Sequence, residues 1–118
     1  WGGDYNGEVP QYEAFNDLKR THPNLKTMIA VGGWTFNDPG PTQTRFSNLA
    51  ADFDRRMAFA DSVVDFCRTY GFDGIDFDWE YPGDSARGGN AAADRQNYVL
   101  LVDAVRAAFD AAAPNLDI

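Results

Sequence analysis

At 118 residues, 44% hydrophobic and 14% aromatic, the chain has the length of one domain and enough apolar side chains for a core, which excludes a disordered sequence. A net charge of -8 and a pI near 4.3 argue against nucleic acid, whose phosphates are bound by clustered Lys and Arg, and favour a neutral partner. No apolar run approaches the ~20 residues of a membrane span, and no charged-then-apolar leader opens the chain.

Taken in order, residues 1–11 are rich in Gly, Asp, Asn and Pro without a period, as a surface loop leading into a helix near Pro10. Tyr12, Phe15 and Leu18 recur at threes before Pro23, which predicts a short amphipathic helix. His22 at its end is a solvated residue, since no Ser, Cys or ligand cluster accompanies it. Leu25 to Val31 is apolar and partly β-branched and breaks at Gly32-Gly33-Trp34, so a strand is expected to run into a loop there. Residues 35–48, with two prolines, a glycine and many polar groups, read as a long loop or a loop with a short turn. From Asp52 to Tyr70 the set Met57, Ala60, Val64 and Cys67 has helical spacing, flanked by Phe59, Val63, Phe66 and Tyr70, and Gly71 is a plausible stop. Cys67, the single cysteine, fits a buried thiol within that pattern.

Beyond residues 73–82 comes a second loop, then a helix from about Ala92 to Ala112 with Tyr98, Leu101, Val102, Val105 and Phe109 on one face and Pro114 at its end. Leu116 and Ile118 start another strand. The alternation of helix and strand is the grammar of βαβ units and a parallel sheet. The chain opens on Trp1 and stops at Ile118 within a new apolar run, so it is expected to be a single partial domain, residues 1–118, truncated at both ends.

The most informative stretch is Asp73-Gly74-Ile75-Asp76-Phe77-Asp78-Trp79-Glu80-Tyr81-Pro82. As a strand it sets Asp76, Asp78 and Glu80 on one face and Ile75, Phe77 and Trp79 on the other. Same-face neighbours sit only ~7 Å apart, so three carboxylates repel one another and a fold keeps them only where something offsets that cost. In parallel α/β folds functional groups gather at the C-terminal ends of strands, where Glu80 stands; coupling within the row favours a retained proton, which a general acid needs. A divalent cation is a weaker reading, because bulky Phe77, Trp79 and Tyr81 intervene and the oxygen donors of a Ca²⁺ loop are missing. A charge-paired structural cluster stays open, above all for Asp73, which lies off the face of the row beside Gly74. Gly32-Gly33-Trp34 should lie on the same rim. Two glycines allow close backbone approach and an indole offers a flat face for a sugar, though packing glycines with a core Trp would look the same. The pair is not a dinucleotide fingerprint, because the third glycine of G-x-G-x-x-G is absent.

The stretch from Asp73 to Pro82 resembles the D-G-x-D-x-D-W-E-Y-P signature of glycoside hydrolase family 18 chitinases at every fixed position, and Ala30-Val31-Gly32-Gly33-Trp34 resembles the family's S-x-G-G-W strand. The wording of Phe36-Asn37-Asp38-Pro39-Gly40-Pro41-Thr42 is most similar to fungal members. The resemblance implies an α/β fold, a piece of a (β/α)8 TIM barrel holding about strands 3 and 4, their flanking helices and the start of strand 5. It implies hydrolysis of β-1,4 links between N-acetylglucosamine units of chitin by a retaining, substrate-assisted reaction. Glu80 would be the general acid and base, Asp78 would orient the substrate's acetamido group, and Asp76 would tune Asp78. Trp34 and Tyr81 would line the substrate cleft with Gly32 and Gly33, while Asp73 and Gly74 would be structural parts of the motif. The implied partner is chitin or its oligosaccharides, with no cofactor, no metal, no membrane, no nucleic acid and no obligate protein partner, and the implied location is extracellular or the cell wall.

Two departures qualify the resemblance. Ala30 stands where the motif has serine, so a hydroxyl behind the aspartates is missing. A whole barrel needs ~250 residues, so the later strands are absent and the chain alone is expected to fold poorly and to lack useful activity. An endo-β-N-acetylglucosaminidase acting on N-glycans uses a similar acidic strand, and a chitin-binding lectin of the same fold is a third possibility that the intact Glu80 disfavours.

Overall fold

The computed structural model describes residues 7–112. In chain order they form helix α1 (Glu8–Asn16), a 3-10 turn (Asp17–Arg20), strand β1 (Met28–Gly32), a second 3-10 turn (Trp34–Asn37), helices α2 (Arg45–Ala51) and α3 (Phe53–Tyr70), strand β2 (Gly74–Asp78), a third 3-10 turn (Ser85–Arg87) and helix α4 (Asp94–Ala112). The strand expected from Leu116 to Ile118 lies outside the described residues.

The two strands are parallel and adjacent, with Met28 opposite Gly74, Ala30 opposite Asp76 and Gly32 opposite Asp78. Alternation along each strand then divides the sheet. Ile29, Val31, Ile75 and Phe77 join the core with Val63, Val64, Cys67, Leu101, Val105 and Phe109 from α3 and α4, while Met28, Ala30 and Asp76 on the other face are exposed. Helix α3 starts where Asp52 accepts a hydrogen bond from Arg55 N–H at 2.9 Å and ends at Gly71, whose φ of 79° is the left-handed cap that glycine adopts without penalty. Cys67 lies buried at this end, its thiol pushed up to about 11 by burial first and then by the charge of Asp73, which Lys19 partly offsets.

The structure departs from sequence expectation at several points. The first helix begins at Glu8 rather than near Pro10; proline is tolerated there because N–H groups of a first turn have no intrahelical partner. Its spaced apolar set is only partly used. Tyr12 packs edge-on against Phe66, Tyr70 and Phe72, whereas Phe15 and Leu18 stay exposed. The stretch 35–48 holds a short turn, one of the two expected forms, but its last residues belong to α2, which was not expected and which buries Phe46 and Ala50. In α4, Leu101, Val105 and Phe109 are buried, but Val102 is exposed on the helix flank. Strand β2 stops at Asp78, so Glu80 lies beyond the ladder rather than within it.

The N-terminal ends of the two strands are tied by Asp73. Its backbone N–H donates to Thr27 O at 2.8 Å, and its carboxylate accepts from Thr27 N–H at 2.7 Å and pairs with Lys19 at 2.5 Å and Lys26 at 3.4 Å. Burial alone would raise its pKa, but the hydrogen bonds from Lys19 and Thr27 and the two ammonium charges outweigh it, so the carboxyl is held below its ordinary value of 3.8. Thr27 is buried beside it, its hydroxyl donating to Asn16 Oδ1. A carboxyl with a lowered folded pKa contributes stability that is complete above the unfolded value and lost as pH falls through the folded one. Asp73→Asn in the full-length protein should therefore lower the thermal midpoint at pH 7 and flatten its decline below about pH 4. A midpoint that matches the parent's at both pH values would contradict this.

Candidate active site

The carboxylates sit at the opposite, C-terminal end of the sheet. Asp76 lies on the open face directly beside Ala30. The position where the related motif carries serine is thus the cross-strand neighbour of Asp76, and the missing hydroxyl is missing from its immediate surroundings. Asp76 also acts through the sheet. The Tyr98 phenol is pushed up by its own burial and then by the charge of Asp76.

Asp78, half-buried, is held by the glycine pair at the end of β1. Gly32 has φ 117°, and a Cβ there would collide with the Asp78 carbonyl and with the Phe46 ring. The neighbouring strand itself makes a close approach for which Gly32 is needed. Gly33 has φ 101° and donates its N–H to Asp78 O at 2.8 Å. A Cβ at Gly33 would stand 3.6 Å from Asp78 Oδ2, so this bare backbone borders the carboxylate itself.

Glu80 follows Trp79, which anchors the turn. Trp79 is buried, stacked on Phe46 with centroids 5.4 Å apart and edge-on to Tyr98 at 5.6 Å. The alternation of the strand thus persists one step beyond its ladder and turns Glu80 away from the core. Two side chains, one distant in sequence and one from the loop that follows, then fix the Glu80 backbone. Its N–H donates to Asn37 Oδ1 at 3.2 Å, and its carbonyl accepts from Arg87 Nε at 2.6 Å. Asn37 is fully buried and also donates to Gln43 O at 3.2 Å. The Glu80-Tyr81 peptide bond is cis.

Trp34 and Tyr81 rise from the two strand ends and meet edge-on at 6.5 Å. Both stay about half exposed, at 54% and 53%. Large apolar surfaces left open beside carboxylates form a rim suited to a flat, partly apolar ligand such as a sugar ring. Asp73 and Gly74 lie at the other end of β2 and take no part in this rim. Among the described residues no three of His, Cys, Asp and Glu are grouped as a metal would require, and no helix is long and apolar enough to cross a membrane. A concavity of about 880 Å³ runs along β1 among Tyr12, Ile29, Phe46, Leu49 and Phe59. None of the three carboxylates lines it.

Sequence reasoning missed Asn37, Arg87 and Asp94. Asp94, fully buried, accepts from Ser47 Oγ at 2.7 Å, Gly83 N–H at 3.0 Å and Asn90 N–H at 2.6 Å, and so shapes the loop after Pro82. The one available signal was that Arg87 is the sole basic residue of that loop. Contacts that span more than forty residues, as those of Asn37 to Glu80 and of Arg87 to Trp34 and Asp38 do, leave no local trace.

A parallel βα unit with carboxylates and an aromatic rim at its strand ends has its polar groups where barrel enzymes carry their sites. The profile of glycosyl hydrolases family 18 matches residues 2–116, and the chain belongs to that family. It is 46% identical over 114 residues to Chitinase A1 of Niallia circulans, which covers 95% of this chain and 15% of that protein. Among solved structures, a Bacillus thuringiensis chitinase superposes with a TM-score of 0.72 at 46% identity, covering 86% of this chain and 16% of the other. The second catalytic domain of an Ostrinia furnacalis Group II chitinase, solved as a mutant in complex with (NAG)5, gives 0.77 at 31% identity over 93% and 28% of the two chains. The chain thus spans a small part of the relatives it matches, and its own fold is of the TIM-barrel family type.

The Asn37 bond predicts a cost when it is removed. Asn37→Ala in the full-length protein leaves the Glu80 N–H without its partner and should lower unfolding stability by about 1–3 kcal/mol in denaturant. An unchanged midpoint would show that Asn37 does not hold the turn.

Proposed function

We propose that residues 1–118 form part of the catalytic domain of a chitinase, with β1 and β2 as the third and fourth strands of its (β/α)8 barrel. The substrate is chitin or its oligosaccharides, and the reaction is hydrolysis of β-1,4 links between N-acetylglucosamine units. The observation that carries this reading is the shared rim. The register of β1 and β2 ends with Gly32 opposite Asp78, Gly33 N–H is bonded to Asp78 O, and the exposed indole of Trp34 meets the exposed phenol of Tyr81, the residue after Glu80.

Glu80 donates its proton to the glycosidic oxygen while the substrate's acetamido oxygen attacks the anomeric carbon. The bond to the leaving sugar breaks, and a bicyclic oxazolinium ion forms. Glu80, now a carboxylate, takes a proton from water as that water attacks the same carbon and reopens the ring. Asp78 accepts the acetamido N–H and stabilises the developing positive charge, and Asp76 beside it tunes its proton affinity. Trp34 stacks on the sugar on the leaving-group side, and Tyr81 lines the cleft. The side chains of later strands complete the site, and the protein acts outside the cell or in the cell wall, where chitin lies.

In the full-length protein, Glu80→Gln should lower turnover of chitin oligosaccharides by about 10²–10⁴-fold or more while oligosaccharide binding survives. A chelator should leave the parent's rate unchanged. Chelator-sensitive activity would remove the acid-base account, and cleavage of N-glycans without cleavage of chitin oligosaccharides would assign the same site to the glycan-directed alternative.

A further inference from the structure

The loop after Pro82 contributes a side chain that touches both halves of the rim. Arg87 donates Nε to the Glu80 carbonyl at 2.6 Å and Nη2 to the Trp34 carbonyl, and Nη1 pairs with Asp38 at 3.2 Å. Its Cζ lies 3.7 Å from the centroid of the Trp34 ring, so the guanidinium also covers one face of the indole. One planar group thus holds the backbone of the acid, the backbone of the aromatic residue and that residue's ring. Only arginine has the fork of donors and the flat cation to do all three.

Arg87 is not a loose surface arginine. Its side chain is 14% exposed, and the short turn that bears it is fixed at several points. Asp84 Oδ1 accepts from Ala86 N–H at 2.9 Å, Gln43 Nε2 donates to Ala86 O at 3.1 Å, and Gly88 at φ 81° lies so close to the Gln43 backbone that a Cβ would collide with it. Buried Asp94 ties down the loop on either side through Gly83 and Asn90. Trp34 remains about half exposed even with Arg87 against it.

We infer that Arg87 is a positioning residue that presses one face of Trp34 while binding the Glu80 carbonyl, so that the free indole face and the acid keep a fixed separation across the bond to be cleaved. This rests on the proposed roles of Trp34 and Glu80. A sugar stacked on the free face is then held at the distance at which Glu80 can protonate its glycosidic oxygen, and small misplacements of such groups are costly.

The test is a double-mutant cycle in the full-length protein, with kcat and KM measured on chitohexaose and corrected for folded fraction by circular dichroism. Arg87→Ala and Trp34→Ala should each lower kcat/KM by about tenfold or more, and the double variant should lose clearly less than the product of the two single losses, because Arg87 and Trp34 set the same separation. Arg87→Lys, which keeps a cation but not the planar fork, should recover part of the loss. Should Arg87→Ala fail to fold, Arg87→Gln replaces it in the cycle. Losses that multiply, or an Arg87 variant as active as the parent once folded fraction is counted, overturn the inference while leaving the chitinase reading intact. An unaffected Trp34→Ala overturns the platform role and this inference with it, and Glu80→Gln separately tests the acid.

Discussion

The hydrogen bond from Gly33 N–H to Asp78 O, at 2.8 Å, is the joint on which the site depends. It extends the parallel ladder one step beyond Gly32 and Asp78, and it exists because Gly32 allows the two backbones to come together where any Cβ would collide with the Asp78 carbonyl. Both glycines have φ above 100°, a region that L side chains rarely adopt. The geometry that follows is fixed by that requirement. Trp34 leaves one strand end and Glu80 leaves the other, and the two are launched from a common, rigid base.

The sheet divides its labour between its ends. At the N-terminal end Asp73 is met by Thr27, Lys19 and Lys26, a charge-compensated knot whose consequence is stability. At the C-terminal end Asp76 and Asp78 precede Glu80, which follows buried Trp79 and whose backbone is held by Asn37 and Arg87. Stability at the bottom of a βα architecture and chemistry at the top is the arrangement expected of barrel enzymes.

Much of this was legible in the residues, and for identifiable reasons. Helix α3 was readable because a strong helical period ends at Gly71, and β2 because Ile75 and Phe77 alternate with Asp76. The motif around Glu80 marked the candidate acid, and the parallel order of strands set Trp34 near it. What could not be read has long-range causes. Helix α2 follows a stretch rich in proline, glycine and threonine, and its few apolar residues show a period only once Phe46 finds Trp79 and Phe36. Phe15 and Val102 follow the expected spacing yet stay exposed, since a period states which residues share a face and not whether that face is covered. Asn37, Arg87 and Asp94 are ordinary polar residues by sequence, and only the fold shows that two of them hold the backbone of Glu80 and the third holds the loop after it.

The central claim is that Glu80 acts with the substrate's own acetamido oxygen, so that the anomeric carbon is attacked twice and its configuration is kept. The most direct measurement is the anomeric form of the product in the first moments of chitin oligosaccharide hydrolysis by the full-length protein, followed by proton NMR before mutarotation. The account predicts that the new reducing end appears as the β anomer. Initial release of the α anomer would mean a single displacement by water, and would contradict it.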